Sequence, residues 1–162
     1  MTHSPAPSLP TPLRNELPNL NVVGQTALRY FGLLVYDIHL WSHQRIDADH
    51  YAQQVFALDL TYARKLEGAA IAERSLAEMR RIGPFDDAQA RHWLSTMKQA
   101  FPDVAANEHL IGLNDGQGGV RFFHQDRQTA ELSDPTFAQL FFGIWLSPQT
   151  SAPAMRAALL GA

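Results

Sequence analysis

The sequence predicts one α+β domain in which an antiparallel sheet packs against a layer of helices. Its 162 residues fall within the usual size of a single domain. Of these residues 46% are apolar and 18% are charged, which is the balance of a globular protein with a real core. Strand patterns and helix patterns occur in separate runs without internal repeats, and this order favours an α+β layout over alternating βαβ units.

The beginning of the chain is rich in proline, because five of the ten prolines fall within the first 18 residues. Each proline removes a backbone donor and fixes φ. We therefore predict that residues 1–18 form a flexible, extended tail and that residues 19–162 form the folded domain.

The next two stretches predict strands. Residues 19–41 are rich in β-branched and aromatic side chains and predict two strands or more. Gly24 and Gly32 are the expected turn, bulge or close-approach positions within them. Residues 55–63 alternate between inward and outward types over the length of one strand, and the apolar period then changes to that of a helix.

Two helices follow this strand. From Lys65 to Ile82 the apolar residues fall on one stripe, and Gly83 with Pro84 ends the helix. A second helix is capped by Asp86 or Asp87 and ends before the proline at 102.

The last third predicts a three-strand meander and two more helices. The strand candidates are HLIGLN, GVRFFH and QTAEL, separated by the turn-forming stretches DGQG and QDR. Asp134 with Pro135 is a well-formed helix start, with a carboxylate at the N-cap and proline in the first turn. Ser151 with Pro153 opens a short final helix.

Composition excludes several kinds of function. The net charge is −3 and the 13 basic residues are scattered, so we expect no nucleic-acid partner. The absence of cysteine excludes disulfides, thiolate nucleophiles and cysteine-ligated zinc. No run approaches the roughly 18 apolar residues of a membrane span, and no secretory signal pattern opens the chain. We expect a soluble protein, periplasmic if an export signal has been trimmed and otherwise cytoplasmic.

Three motifs invite a functional interpretation. The GQGG stretch at residues 116–119 lies between two short strands and has no following helix or GK[ST], so it predicts a hairpin turn and not a phosphate loop. His39 and His43, with His50 nearby, have the spacing of helical metal ligands but fall where the sequence predicts strand and loop. No G-x-S-x-G elbow presents a nucleophile. We expect no metal and no cofactor.

Aromatic residues recur at strand and helix spacing, which is typical of a core but is also compatible with the lining of a ligand pocket. They are Phe122, Phe123, Phe141, Phe142, Trp93 and Trp145.

Four blocks of sequence, in order, resemble the bacterial branch of the chalcone isomerase-like family. They are LRYFGLLVYDIHLW; FALDLTYARKL with a helix ending RRIG; a tryptophan separated by seven residues from FPDV; and DPTFAQLFFGIWLSPQTSAPAMRAALLG. Together they span roughly residues 20–161. The resemblance implies an open-faced β-sandwich, in which helices cover one side of a long antiparallel sheet and a ligand cleft lies between the two layers.

The plant enzymes of this family cyclise chalcones with an arginine, a threonine, a tyrosine, an asparagine and a hydroxyl residue on a late helix. Aligned on the resemblance, the threonine position falls on Phe31 and the asparagine position on Arg74. The tyrosine position falls near Glu67, the late hydroxyl on Phe137, and the arginine near Pro18. An arginine that stabilises an anionic oxygen is hard to replace. The resemblance therefore implies a protein without plant-type cyclising activity, and the residues favour a protein that is not an enzyme.

Fatty-acid-binding members of the superfamily hold a carboxylate with an arginine and a tyrosine at the mouth of an apolar tunnel. Tyr30 is the best match to that tyrosine, and Arg29 or Arg74 would substitute for the arginine. Phe31 and Phe137 would make the cleft apolar where the enzymes are polar. This interpretation predicts a small hydrophobic partner, either a fatty acid or an aromatic molecule.

Two alternatives stay open. An isomerase or lyase on another substrate would use Tyr30 or Tyr36 as acid, Arg74 as anion clamp and Glu67 as base. A protein with a closed core would act through its surface. The candidate ligand-binding residues are Arg29, Tyr30, Phe31, Tyr36, Arg74 and Phe137.

Overall fold

A computed structural model describes residues 8–161 and contains one six-stranded sheet. Consecutive strands are neighbours and every pair is antiparallel, so the sheet is a meander with β1 and β6 at its edges. The strands are β1 (Asn21–Tyr30), β2 (Leu33–Ser42), β3 (Phe56–Tyr62), β4 (His109–Asn114), β5 (Gly119–His124) and β6 (Arg127–Ser133).

Five α-helices and one 3₁₀ turn complete the described chain. The helices are α1 (Thr11–Glu16), α2 (Gly68–Ile82), α3 (Asp87–Ala100), α4 (Pro135–Leu146) and α5 (Pro153–Leu160), and the 3₁₀ turn is Tyr51–Gln53. This arrangement of an antiparallel sheet with helices confirms the predicted α+β class.

Two aspartates start the helices that roof the sheet. Asp86 accepts from the backbone N–H of Gln89, whose side chain accepts from the N–H of Asp86 in return, so α3 begins with a capping box. Asp134 accepts from Thr136 and Phe137 at the start of α4. Its second oxygen accepts a 3.0 Å hydrogen bond from the Trp93 indole, which ties α3 to α4.

The main core lies between one face of the sheet and α2 to α5. Alternate strand residues such as Leu40 and Leu58 point into it and are fully or almost fully buried. Trp93, Phe122 and Phe141 add aromatic edge and stacking contacts, which confirms that most of the aromatic residues belong to the core.

Gly24 allows α5 to lie directly on the edge strand β1. A Cβ atom at this position would lie 2.0 Å from the carbonyl oxygen of Leu159, so any side chain would force the helix away. The strand register also shifts between Val22 and Gly24. The prediction of a bulge or close approach at Gly24 is therefore correct on both counts.

The opposite face of the sheet carries a second, smaller apolar cluster that α1 covers. Leu13 in α1 is fully buried there against strand residues that include Trp41 and Ile111. The expectation of an extended tail is wrong for residues 11–16, and residues 1–7 lie outside the described part. Proline suits the first turn of a helix, and leucines at 9, 13 and 17 give the short segment one apolar stripe.

Replacing Leu13 by alanine is expected to lower the free energy of unfolding by about 2 kcal/mol, the low end of the range for a buried leucine, because the short helix can detach. Urea denaturation measures this difference. Asn15→Ala changes an exposed residue of the same helix and serves as the matched control. Equal stability of Leu13→Ala and wild type would mean that α1 does not hold to the sheet in solution.

A carboxylate is buried on this same outer face. Asp59 of β3 is 3% exposed, and its Oδ1 lies 2.6 Å from Nδ1 of His109 on β4. The hydrogen bond that His109 donates to Asp59 raises the pKa of His109 above its ordinary value, against the opposing effect of burial, and the charges of Asp59 and Asp126 add to the rise.

This pair predicts a pH dependence of stability. A histidine whose pKa is higher in the folded state stabilises the fold fully below its unfolded pKa of about 6.5, and this contribution is lost as the pH rises through the folded value. Urea unfolding of wild type and His109→Gln should therefore differ more at pH 6 than at pH 9. A difference that grows with pH would contradict the assignment.

Candidate ligand cavity

A cavity of about 310 Å³ lies between the inner face of the sheet and the helices above it. Strands β1 to β5 provide its floor, and α2, α4 and the start of α5 provide its walls and roof. Most of the lining is aliphatic or aromatic. The lining residues from the sheet include Tyr36, Leu58, Leu60, Tyr62, Leu110 and Phe122, and those from the helices include Ala70, Ile71, Arg74, Ser75, Glu78, Phe141, Ile144 and Trp145.

Tyr36 supplies a neutral phenol to the cavity wall. Burial raises its pKa to about 12, so the hydroxyl keeps its proton at neutral pH. The oxygen accepts a 3.1 Å hydrogen bond from the Trp145 indole N–H. The hydroxyl hydrogen of Tyr36 has no acceptor among residues 8–161, so it remains available to a ligand.

Tyr62 places a second phenol beside the first. The two rings meet edge to face with their centroids 5.6 Å apart. Tyr62 is 4% exposed, and burial raises its pKa. Within the described chain its hydroxyl makes no hydrogen bond, although a buried phenol usually finds a partner. The cavity therefore has two adjacent, unused O–H donors in an otherwise apolar wall.

The rim of the cavity carries an ion pair on α2. The Arg74 guanidinium lies 3.1 Å from Glu78, and the Arg74 side chain is 75% exposed, which places it at the mouth. Glu78 is largely buried and also accepts a 2.7 Å hydrogen bond from the hydroxyl of Ser151. Glu78 is the carboxylate of the lining, and two donors already engage it.

This arrangement suits binding of a molecule with an apolar body and one polar, electron-rich end. The phenols of Tyr36 and Tyr62 can donate to a carboxylate, a carbonyl or a phenolic oxygen. The exposed guanidinium of Arg74, which is paired with Glu78, adds further N–H donors at the mouth. Glu78 is the carboxylate of the lining that could abstract a proton. Its two oxygens are already engaged, one by Arg74 and the other by the hydroxyl of Ser151.

The structure brings only two of the six predicted ligand-binding residues to the cavity wall, Tyr36 and Arg74. Arg29, Tyr30 and Phe31 lie at the end of the β1–β2 hairpin and are exposed.

Phe137 is fully buried and packs among Trp93, Phe122 and Phe141, so it belongs to the core and does not line the cavity. Glu67, the base of the alternative enzyme hypothesis, is exposed before α2 and also does not line the cavity.

The misplacement of Phe31 has a local cause. Phe31 and Gly32 form a two-residue turn with φ of 51° and 80°, the values of a type I′ hairpin turn. Counting residues from the VYD stretch aligned Phe31 with a strand position of the family. In this chain Phe31 lies in the turn between β1 and β2. Asparagine is the usual first residue of such a turn, and a bulky L-residue in left-handed backbone costs about 1–2 kcal/mol.

Tyr62 and Glu78 were missed at the cavity, whereas Trp145 was named among the aromatic residues that suit either a core or a pocket lining. Tyr62 follows Leu58 and Leu60 at every second position of one strand, so the strand period predicts that all three share the inner face. Trp145 lies four residues after Phe141 on α4, and Glu78 lies four residues after Arg74 on α2. Helical spacing therefore predicts that each of these residues shares a face with the residue four positions before it. It does not predict which face of the helix lines a cavity.

The described residues contain no group of three histidine or acidic side chains arranged to hold a metal ion. His39 lies in β2 beside Asp59, and His43 follows the end of the strand. The GQGG stretch connects β4 to β5 as a turn, as predicted. No helix within residues 8–161 is long and apolar enough to cross a membrane.

Comparisons with known proteins agree with this architecture. No family model matches the chain. An uncharacterised protein of Haemophilus influenzae is 28% identical over 139 residues, which are 86% of this chain and 67% of that protein. The crystal structure of a fatty-acid binding protein of Arabidopsis thaliana, AtFAP1, matches with a TM-score of 0.65 and 10% identity, over 87% of this chain and 86% of that chain.

At 10% identity the likeness to AtFAP1 concerns the fold alone. The fold is the open-faced β-sandwich of the chalcone isomerase type that the sequence predicts, with α2 to α5 on one side of an antiparallel sheet and the short α1 on the other.

Proposed function

We propose that this chain is a bacterial chalcone isomerase-like protein that binds a fatty acid or a similar amphiphile in the cavity between sheet and helices. The observation that carries the proposal is the pair of unused phenol donors, Tyr36 and Tyr62, in the wall of an apolar cavity. Both hydroxyl groups can donate a hydrogen bond without giving up one within the described chain, and a bound carboxylate would accept from them.

The size and lining of the cavity support a slender apolar ligand. Pockets for small molecules occupy about 300–1,000 Å³, so about 310 Å³ is at the small end of that range. AtFAP1, whose fold this chain shares, is described as a fatty-acid binding protein. Arg74 at the mouth, although paired with Glu78, has further guanidinium N–H groups that could donate to the anionic end of a ligand.

Binding without catalysis fits the contacts better than an isomerase or lyase does. The positions that the resemblance aligns with plant catalytic hydroxyls, Phe31 and Phe137, contribute no polar group to the cavity. Glu78 is held by Arg74 and Ser151, so no carboxylate of the lining is free to move protons.

A competition experiment tests the proposal. Saturated fatty acids of increasing chain length, and their methyl esters, are titrated against anilinonaphthalene sulfonate bound to the protein. Wild type should release the probe to fatty acids, and Tyr62→Phe should bind the acids about 5–10-fold more weakly, since a lost hydrogen bond is worth about 1 kcal/mol.

The methyl esters are the matched control, because they keep the apolar chain and lose the anionic end, so Tyr62→Phe should change their affinity less. Tyr62 is preferred to Tyr36 because Tyr36→Phe would also leave the Trp145 indole N–H without its acceptor. Failure of every acid and ester to displace the probe from wild type would contradict the proposed function.

A further inference from the structure

The β1–β2 hairpin extends beyond the rest of the sheet as a two-stranded arm, defined here as residues 29–34. The last backbone hydrogen bond from the β3 side joins the N–H of Ala63 to the carbonyl oxygen of Val35. Beyond that point Arg29 pairs with Leu34 and Tyr30 with Leu33, and no third strand of the described chain lies beside them. The arm therefore projects from the body of the molecule.

The end of this arm is apolar and exposed. Tyr30, Phe31 and Leu33 are 64%, 91% and 56% exposed, and they are the exposed large hydrophobic residues within the described part of the chain. Three such side chains at one tip form a contiguous apolar patch, which usually marks an interaction site.

The backbone of the tip adds to this argument. Phe31 occupies the left-handed region with φ of 51°, where asparagine or glycine is the usual residue. Its ring contacts only the neighbouring Tyr30 ring among the aromatic side chains described, with centroids 4.6 Å apart. Neither the turn nor the core of this protein requires an aromatic side chain at this position. We therefore expect Phe31 to contact another molecule.

We propose that the arm docks on the surface of a lipid bilayer, with Tyr30, Phe31 and Leu33 entering the interface between headgroups and acyl chains. A stable protein interface buries about 800 Å² on each partner and needs a complementary surface, and a convex tip of three side chains offers neither. A bilayer accepts projecting apolar side chains without a matching shape, and tyrosine is favoured at its interface.

The charges beside the tip suit an anionic bilayer. Arg29 is the one charged residue of the arm, and Arg64 and Lys65 follow Ala63 at the base of the arm. All three are exposed, and none forms an ion pair with another described residue. The next acidic residues along the chain are Asp37, which follows Arg29 by eight residues on β2, and Glu67, which follows Lys65 by two. Basic side chains next to an apolar insertion strengthen binding to anionic headgroups.

The cavity begins where the arm ends. Leu28 and Val35, the residues that flank the arm, both belong to the cavity lining. Docking of the tip would therefore hold the cavity next to the bilayer, where fatty acids reside. This link between docking and ligand supply rests on the proposed function, whereas docking itself does not.

Flotation with vesicles tests the proposal. Wild type should float with vesicles of phosphatidylcholine and phosphatidylglycerol, and less strongly with phosphatidylcholine alone. The double variant Phe31→Ser/Leu33→Ser should lose at least about tenfold in bound fraction. Both substitutions lie outside the core and the cavity, so circular dichroism should show an unchanged fold.

A tryptophan introduced at the tip provides a second test, which measures insertion into the bilayer directly and does not depend on a variant that loses binding. The native residues Trp41, Trp93 and Trp145 are all at least 92% buried, so added fluorescence reports the new position. Phe31→Trp should shift its emission to the blue when vesicles are added. Gln117→Trp, in the exposed turn at the opposite end of the sheet, is the matched control and should not shift.

Equal flotation of wild type and the double serine variant, or no flotation of wild type, would overturn docking. So would an arm-dependent dimer, seen as a larger species in size-exclusion chromatography that the double serine variant abolishes. Vesicle binding together with failure of every fatty acid and ester to displace the probe would instead overturn only the proposed function, so the two failures are distinguishable.

Discussion

Replacing Phe137 by alanine is expected to lower the free energy of unfolding by about 3–5 kcal/mol, the range for deleting a fully buried aromatic side chain. Phe137 is 0% exposed, stacks on Phe141 at 5.4 Å, and meets Trp93 and Phe122 edge to face. Deletion of the ring would leave a hole surrounded by three other rings. Urea denaturation monitored by circular dichroism measures the loss.

Phe31→Ala is the matched control for this prediction, since it removes the same ring from a position that is 91% exposed. We expect its free energy of unfolding to stay within about 0.5 kcal/mol of wild type. Phe137→Leu, which should fold, is expected to bind the probe as wild type does. If Phe137→Leu bound the probe more weakly while keeping its stability, Phe137 would contribute to the ligand site after all.

Ser75→Trp is expected to weaken ligand binding by about a hundredfold, equivalent to roughly 2.7 kcal/mol. Ser75 lies on α2, is half-buried and lines the cavity. Its hydroxyl bonds only to the carbonyl oxygen of Ile71 within its own helix, so the fold does not depend on it. An indole at this position would occupy space that the ligand needs. Displacement of the bound fluorescent probe measures the change in affinity.

Ala77→Trp introduces the same side chain on the exposed side of α2, outside the cavity lining, and should leave the affinity unchanged. Thermal unfolding distinguishes a blocked cavity from a misfolded protein. A tryptophan that fills empty apolar space should leave the melting temperature of Ser75→Trp close to that of wild type. Full affinity in a folded Ser75→Trp protein would place the ligand elsewhere.

Local patterns were sufficient to predict most of the fold. The stretches HLIGLN and GVRFFH coincide with β4 and β5, because each is a short alternating run closed by turn residues. Asp86 and Asp134 cap the helices predicted to follow them, because N-capping depends on residues only two or three positions apart.

Features that depend on distant parts of the chain could not be predicted in this way. The segment around Leu13 reads as a proline-rich tail until Trp41 and Ile111, far along the sequence, offer it an apolar surface. The hydrogen bond between Trp145 and Tyr36 joins residues 109 positions apart. The resemblance predicted the correct fold but placed Phe31 and Phe137 in the cleft. Counting residues along the chain does not reveal that Phe31 lies in a two-residue turn or that Phe137 packs inside the core.

Native mass spectrometry of wild type and Ser75→Trp, each mixed with a saturated fatty acid, tests the central claim most directly. One fatty acid should remain on wild type, in a one-to-one complex that Ser75→Trp fails to form while Ala77→Trp retains it. A wild-type spectrum that shows only the free protein at every fatty acid concentration, or equal occupancy in all three proteins, would contradict a ligand site in this cavity.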